Sequence, residues 1–198
     1  VPLAGVPWHA LDGYLARLVA AGYKVAIAEQ ISEPGKGLVE RSIQRIVSRG
    51  TATEPGLLDS GRNNWLTAVA INARGTAAGI ASADLSTGEF AVTELTNHDA
   101  ATITQRLGEE LSRLHPTELI HVDWNPTQGE LAGLIAALAC QLSTVDPWQT
   151  DPDTAADLLR RHFGVASLDG FGLRTGDDHA GKEAIRANNG GQLLLPVI

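Results

Sequence analysis

Trp65-Leu-Thr-Ala-Val-Ala-Ile71, Ala77-Ala-Gly-Ile-Ala-Ser-Ala-Asp-Leu85 and Glu89-Phe-Ala-Val-Thr-Glu-Leu95 are three strand-like runs in close succession. Asn72 to Gly75 and Ser86-Thr87-Gly88 separate them with turn-forming residues, which predicts a meander of antiparallel strands. The apolar period then changes from two to 3.6, because Ile103, Leu107, Leu111 and Leu114 share one helical face with Asn97 or Asp99 as the cap. His115-Pro116 stops that helix. Glu118 to Val122 reads as a strand, Leu131 to Leu138 as a second helix and Gln141 to Val145 as a further strand. Asp153 to His162 is a third helix, introduced by Asp151-Pro152.

Three strands followed by alternating helix and strand predict an α/β sandwich with a mixed sheet of the ribonuclease H-like kind. That is a topology and not an activity. Upstream of it, Gly50 to Asn64 carries many turn residues and little periodicity, so an interdomain crossing belongs there. Further back, Leu11, Tyr14, Leu15, Leu18 and Val19 place an amphipathic helix over His9 to Ala21, closed by Gly22. Lys24 to Ala28 and Arg41 to Ser48 read as short strands, with Ser32 to Gly37 as a loop between them. One helix and two short strands bury too little surface to stand as a complete domain. The first segment is therefore a partial small α/β unit.

The 198 residues are 43% hydrophobic and 19% charged, an ordinary globular composition. No apolar run approaches the roughly 18 to 20 residues of a membrane span, and the N-terminus carries no signal-like pattern, so a cytoplasmic protein is expected. Cys140 is the single cysteine. It excludes an internal disulfide and a cysteine-based metal cluster within the chain, and its apolar neighbourhood predicts a packed, unreactive thiol. A net charge of −8 argues against a nucleic-acid clamp over the whole chain. From Val1 to Pro55, however, Arg17, Lys24, Lys36, Arg41, Arg45 and Arg49 slightly outnumber Asp12, Glu29, Glu33, Glu40 and Glu54. A first segment that tolerates phosphates, followed by an acidic one that does not, is the division this implies.

Ala4-Gly-Val-Pro-Trp8-His-Ala-Leu-Asp-Gly-Tyr-Leu15, continuing through Gly22-Tyr-Lys-Val-Ala-Ile-Ala-Glu-Gln30, resembles the second half of the mismatch-binding domain of the bacterial MutS family of DNA mismatch-repair proteins. The family usually carries Tyr at the place of Trp8 and often Cys at that of Ala28. Val39-Glu-Arg41, Arg45-Ile-Val47 and Gly50-Thr51 resemble the end of that domain. Asn64 through Ala83-Asp-Leu-Ser-Thr-Gly-Glu-Phe90 resembles the opening of the family's connector domain, and Phe163-Gly164 with Gly170-Phe-Gly172 its close. The expected organisation is thus 1–53 for the end of the mismatch-recognition domain and 54–173 for the connector. Residues 174–198, with Asp177-Asp178 and Asn188-Asn-Gly-Gly191, form a divergent tail, for which disorder and a degenerate or frame-shifted end are both open.

The resemblance implies that the family's Phe-x-Glu wedge, which stacks on a mispaired base in a kinked duplex, lies upstream of these residues. It places the ATPase, with its phosphate loop and magnesium, downstream. No cofactor is then expected in this stretch, ATP and magnesium belonging to the full-length parent. The partners implied are mismatched double-stranded DNA, MutL and a second copy in the parent homodimer. His9, Lys36, Arg41 and Arg45 are the candidates nearest a DNA backbone, against the plain alternative that they start a helix or solvate a strand edge.

Catalysis is the competing expectation. Ribonuclease H-like enzymes gather carboxylates around two metal ions, which makes Asp84, Glu89, Asp123 and Asp146 the acids to examine; these would converge only by luck, and Asp84 before Ser86-Thr87-Gly88 is better explained as turn chemistry. Gly176-Asp-Asp-His-Ala-Gly-Lys182 has phosphate-loop spacing, but Glu183 replaces the magnesium-binding hydroxyl and the aspartates repel phosphate, so it is read as coincidence. His115, His121 and His162 lack metal-ligand spacing. No metal site is expected.

Overall fold

The computed structural model describes residues 5–31, 41–122, 124–145 and 152–171. A 3-10 turn at Trp8–Ala10 leads into helix α1 (Leu11–Ala20), followed by strands β1 (Val25–Gln30) and β2 (Arg41–Val47). After the crossing come β3 (Leu66–Ile71), β4 (Ala77–Asp84), β5 (Glu89–Thr96), α2 (Ala100–Leu114), β6 (Glu118–Val122), α3 (Ala132–Leu138), β7 (Gln141–Thr144) and α4 (Pro152–Phe163). These spans agree with the periodicity within a residue or two at each end. Lys36, the 32–37 loop, Asp123, Asp146 and the tail with its 176–182 stretch lie outside the described residues.

The second unit is a five-stranded sheet in the order β5-β4-β3-β6-β7. β3, β4 and β5 are antiparallel neighbours, while β6 runs parallel to β3 and β7 parallel to β6. This mixed order, with the first strand central and the meander on one side of it, is the expected ribonuclease H-like topology. Every residue of β4 is buried, as central strands of a sheet covered on both faces require.

Alternation along the strands sorts the core into two layers. On one face Val69, Ala78, Ile80, Leu95 and Leu119 meet Ile103, Leu107 and Leu111 of α2 and Ile135 of α3. A Cβ on Gly108 of α2 would lie 3.3 Å from methyl carbons of both Leu131 and Leu134, so glycine lets the α3 segment pack close. On the other face lie Leu66, Ala68, Ala70, Ala81, Ala83, Ile120 and Val122. Val92 joins that layer to Ala155, Ala156 and Leu159 of α4.

Local chemistry sets the boundaries. Asp99, not Asn97, caps α2, accepting from the backbone N–H groups of Ala101 and Thr102. His115 ends the helix in the left-handed region at φ 48°, its N–H donating to Leu111 O. The indole N–H of Trp124 donates to Val69 O at 3.0 Å, tying the loop after β6 to the central strand.

The first unit is smaller. Leu15 and Val19 of α1 pack with Val47 and Ala52, and Val25, Ile27, Leu57 and Leu58 adjoin them. β1 and β2 form a two-stranded antiparallel sheet whose register shifts between Ile27 and Ala28. Among the described residues, no helix is long and apolar enough to cross a membrane.

Candidate functional site

Asp84 and Glu118 are the two fully buried carboxylates of the described residues, 1% and 2% exposed, and both stand where the crossing meets the connector. A buried carboxylate is tolerated only when its oxygens are matched by donors. The identity of those donors therefore states what each acid does.

Asp84 ends β4. Its Oδ2 accepts from the backbone N–H of Asn64 at 2.9 Å, and its Oδ1 from the N–H and hydroxyl of Ser86 at 2.9 and 2.6 Å. Burial acts to raise the carboxyl's pKa, yet the hydrogen bonds from the Ser86 hydroxyl and from the backbone of Asn64, Ser86 and Thr87 outweigh it and hold the group below the usual carboxylate range. Asn64 carries the connection onward. Its side-chain amide donates to Arg49 O at 2.9 Å and Ala52 O at 3.3 Å, so one residue joins the connector sheet to the crossing.

Glu118 opens β6 on the same face as Ile120 and Val122. Its Oε1 accepts from the Ser143 hydroxyl of β7 at 2.6 Å and lies 3.7 Å from Nζ of Lys24, just before β1. Its Oε2 accepts from the N–H of Gly50 at 3.0 Å. Gly50 lies against the adjacent pair Leu66 and Glu118, which are register partners on β3 and β6. A Cβ added there would meet Glu118 Cβ and Leu66 Cδ1 at 2.8 Å, a separation real Cβ atoms do not show. Thr51 secures the same turn by accepting from Ser48 N–H at 2.8 Å. Above this junction a cleft of about 820 Å³ runs between α1, the crossing and the ends of α2 and α3, with Arg17, Arg49, Arg62 and His115 in its lining.

The nuclease expectation is not favoured. Each oxygen of Asp84 is engaged by donors of the connector or the crossing. Glu89, its register partner on β5, accepts from the Asn63 side chain at 3.0 Å and is exposed. Among the described residues no group of three or more His, Cys, Asp or Glu side chains is placed to hold a metal ion. Turn and crossing chemistry account for Asp84. Cys140 is half-buried beside the α2–α3 layer, and burial raises its thiol pKa, away from the reactive thiolate. His121, half-buried, has its pKa lowered by burial and pairs through Nδ1 with Trp124 O at 2.8 Å.

The basic candidates of the first unit are placed separately. His9 is exposed in the turn before α1. Plain alternation would set Arg41 and Arg45 on one face of β2, but Gln44 has no Cα partner in the register, and this bulge puts them on opposite faces. Arg45 faces the α1 side with Val47 and forms an ion pair with Glu54 of the crossing. Arg41 shares the outer face with Ala26, Ala28, Gln30, Ile43 and Ile46, all exposed, the two isoleucines by 63% and 47%.

Glu118, Lys24 and Gly50 are not singled out by the sequence patterns. The available signal is a charge in phase with the buried positions Ile120 and Val122, which demands a partner. That the partner is Gly50, 68 positions away, is a tertiary fact.

Two family models match successive stretches of the chain. The family profile described as MutS domain I matches residues 1–55, and that of MutS domain II matches residues 64–190. Proteins named DNA mismatch repair protein MutS from Symbiobacterium thermophilum and Dehalococcoides mccartyi are each 40% identical over 174 residues, covering 87% of this chain and 19% of their own length. The protein of the same name from Syntrophomonas wolfei is 41% identical over 182 residues, covering 88% of this chain and 20% of its own. The chain thus spans about a fifth of the length of the curated relatives it matches. With two successive domains of one family matched over residues 1–55 and 64–190, the chain belongs to the MutS family of DNA mismatch-repair proteins.

Proposed function

We propose that this chain is the joining segment of a mismatch-recognition protein: residues 1–53 carry groups close to the DNA backbone, and residues 54–173 relay their position, without catalysis, to the protein core and to MutL. In this reading His9, Lys36, Arg41 and Arg45 are positioning contacts to phosphates, which fix a protein on a duplex without reading its sequence. Base recognition, ATP and magnesium belong to other parts of the parent, which acts as a homodimer on mispaired DNA in the cytoplasm.

One observation carries the reading. The crossing is bonded to the connector sheet through Asn64 and Glu118, so a displacement of the first unit is passed to β3, β4 and β6 and not absorbed by a loose linker. Rigid-body transmission of that kind is how multidomain ATPases couple a binding site to a distant partner surface.

The test pairs calorimetric titration of the folded chain with MutL and a nuclease assay on RNA–DNA hybrid and single-stranded DNA with Mg²⁺ or Mn²⁺. Association with MutL and no cleavage are expected. Absence of association counts against the relay, and cleavage abolished by Asp84→Asn replaces it with the nuclease reading.

A further inference from the structure

We infer that Glu118 is a latch holding the first unit docked on the connector, and that Gly50 is the keyhole through which it acts. Glu118 gathers partners from three parts of the chain: hydrogen bonds from Ser143 of its own sheet and Gly50 of the crossing, and an ion pair with Lys24 of the first unit. Ser143 keeps the carboxylate aimed whether or not the units are docked. The other two partners, one hydrogen bond and one ion pair, are supplied only in the docked geometry, so the carboxylate stabilises that geometry over any other.

Gly50 makes the geometry specific. Its amide reaches Oε2 at 3.0 Å because no side chain separates the backbone from the Leu66–Glu118 pair, and any larger residue must lift the crossing off the sheet. The consequence is a small polar contact on Glu118, next to the one that Asn64 makes between Asp84 and the crossing. The adjoining apolar cluster of Leu15, Val19, Val47 and Ala52 involves α1, β2 and the crossing but no strand of the connector. Polar contacts, the latch beside the Asn64 bridge to Asp84, Arg49 and Ala52, and not a shared apolar core, therefore hold the two units as one body. Its existence follows from these contacts alone, and only its use in signalling rests on the relay reading.

The experiment measures the distance between spin labels at Gln44→Cys on β2 and Gln105→Cys on α2, in the whole chain with Cys140→Ser, by pulsed electron–electron double resonance. The parent chain is expected to give one narrow distribution. Gly50→Ala and Glu118→Ala are expected to broaden it and to raise the undocked population roughly ten- to a hundredfold, the factor that loss of a charged hydrogen bond implies. Cleavage by a broad-specificity protease within the crossing should accelerate in parallel. Glu118→Gln keeps the size and one acceptor oxygen and should fall between them, and it decides the matter if either alanine variant fails to fold. A narrow, unshifted distribution in a folded variant overturns the latch. A broadened distribution with MutL association unchanged would count against the relay reading and leave the latch standing.

Discussion

The two units solve the same burial problem to different degrees. The connector sheet is covered on both faces, by α2 and α3 on one side and by α4 on the other, and β4 has no exposed residue. The β1–β2 sheet rests on α1 with one face and leaves Ala26, Ala28, Ile43 and Ile46 bare on the other. A sheet needs both faces covered, or one face polar, to be stable by itself. The outer face of the hairpin satisfies neither condition, and the apolar cluster of the first unit draws on Ala52, Leu57 and Leu58 of the crossing. The connector sheet is thus covered by its own helices, whereas the core of the first unit borrows residues from the crossing.

The largest effect expected from this contrast lies in the connector core. Leu107 is fully buried between α2 and the sheet, so Leu107→Ala should lower the connector's stability by about 2–5 kcal/mol in urea unfolding followed by tryptophan fluorescence. A shift below about 1 kcal/mol would show that the α2 layer is far looser than its burial implies.

A smaller effect is expected at the anchor of the crossing. Asp84→Asn removes the charge that three donors address and should cost about 1.5–3 kcal/mol at neutral pH. The pH dependence has a definite sign. The folded carboxyl titrates below its ordinary range, so its contribution is fully present above about pH 4 and is lost as pH falls through the lower folded value. Urea midpoints at pH 7 and pH 3 should therefore show the gap between parent and variant closing in acid. A gap independent of pH would mean that Asp84 is not held as the anion.

The smallest effect should be at the hairpin's bare face. Ile43→Ser should leave the connector's unfolding free energy within about 0.5 kcal/mol of the parent. A larger loss would reveal that another segment covers this face, and the contrast between the units would have to be redrawn.

Strand and helix positions were legible because each depends on residues a few places apart. The meander followed its turn residues, α2 followed Ile103, Leu107 and Leu111, and the His115-Pro116 stop appeared as a left-handed cap. The choice between Asn97 and Asp99 as cap needed backbone geometry, which favoured Asp99. The turn alternative for Asp84 was legible in Ser86-Thr87-Gly88, but its bond to Asn64 was not, since Asn64 lies 20 positions away across a strand pair.

By itself the sequence determined the class of fold and the family, because periodicity, turn chemistry and motif residues are local properties of the chain. Tertiary structure alone decided which acids are structural anchors and which basic residues share a surface. One bulged residue, Gln44, moves Arg41 and Arg45 to opposite faces of a strand on which simple alternation unites them. Glu118 and Gly50 meet across 68 positions because the parallel pairing of β3 with β6 creates the surface on which glycine fits. Such pairings are set by packing between distant segments, which no local pattern encodes.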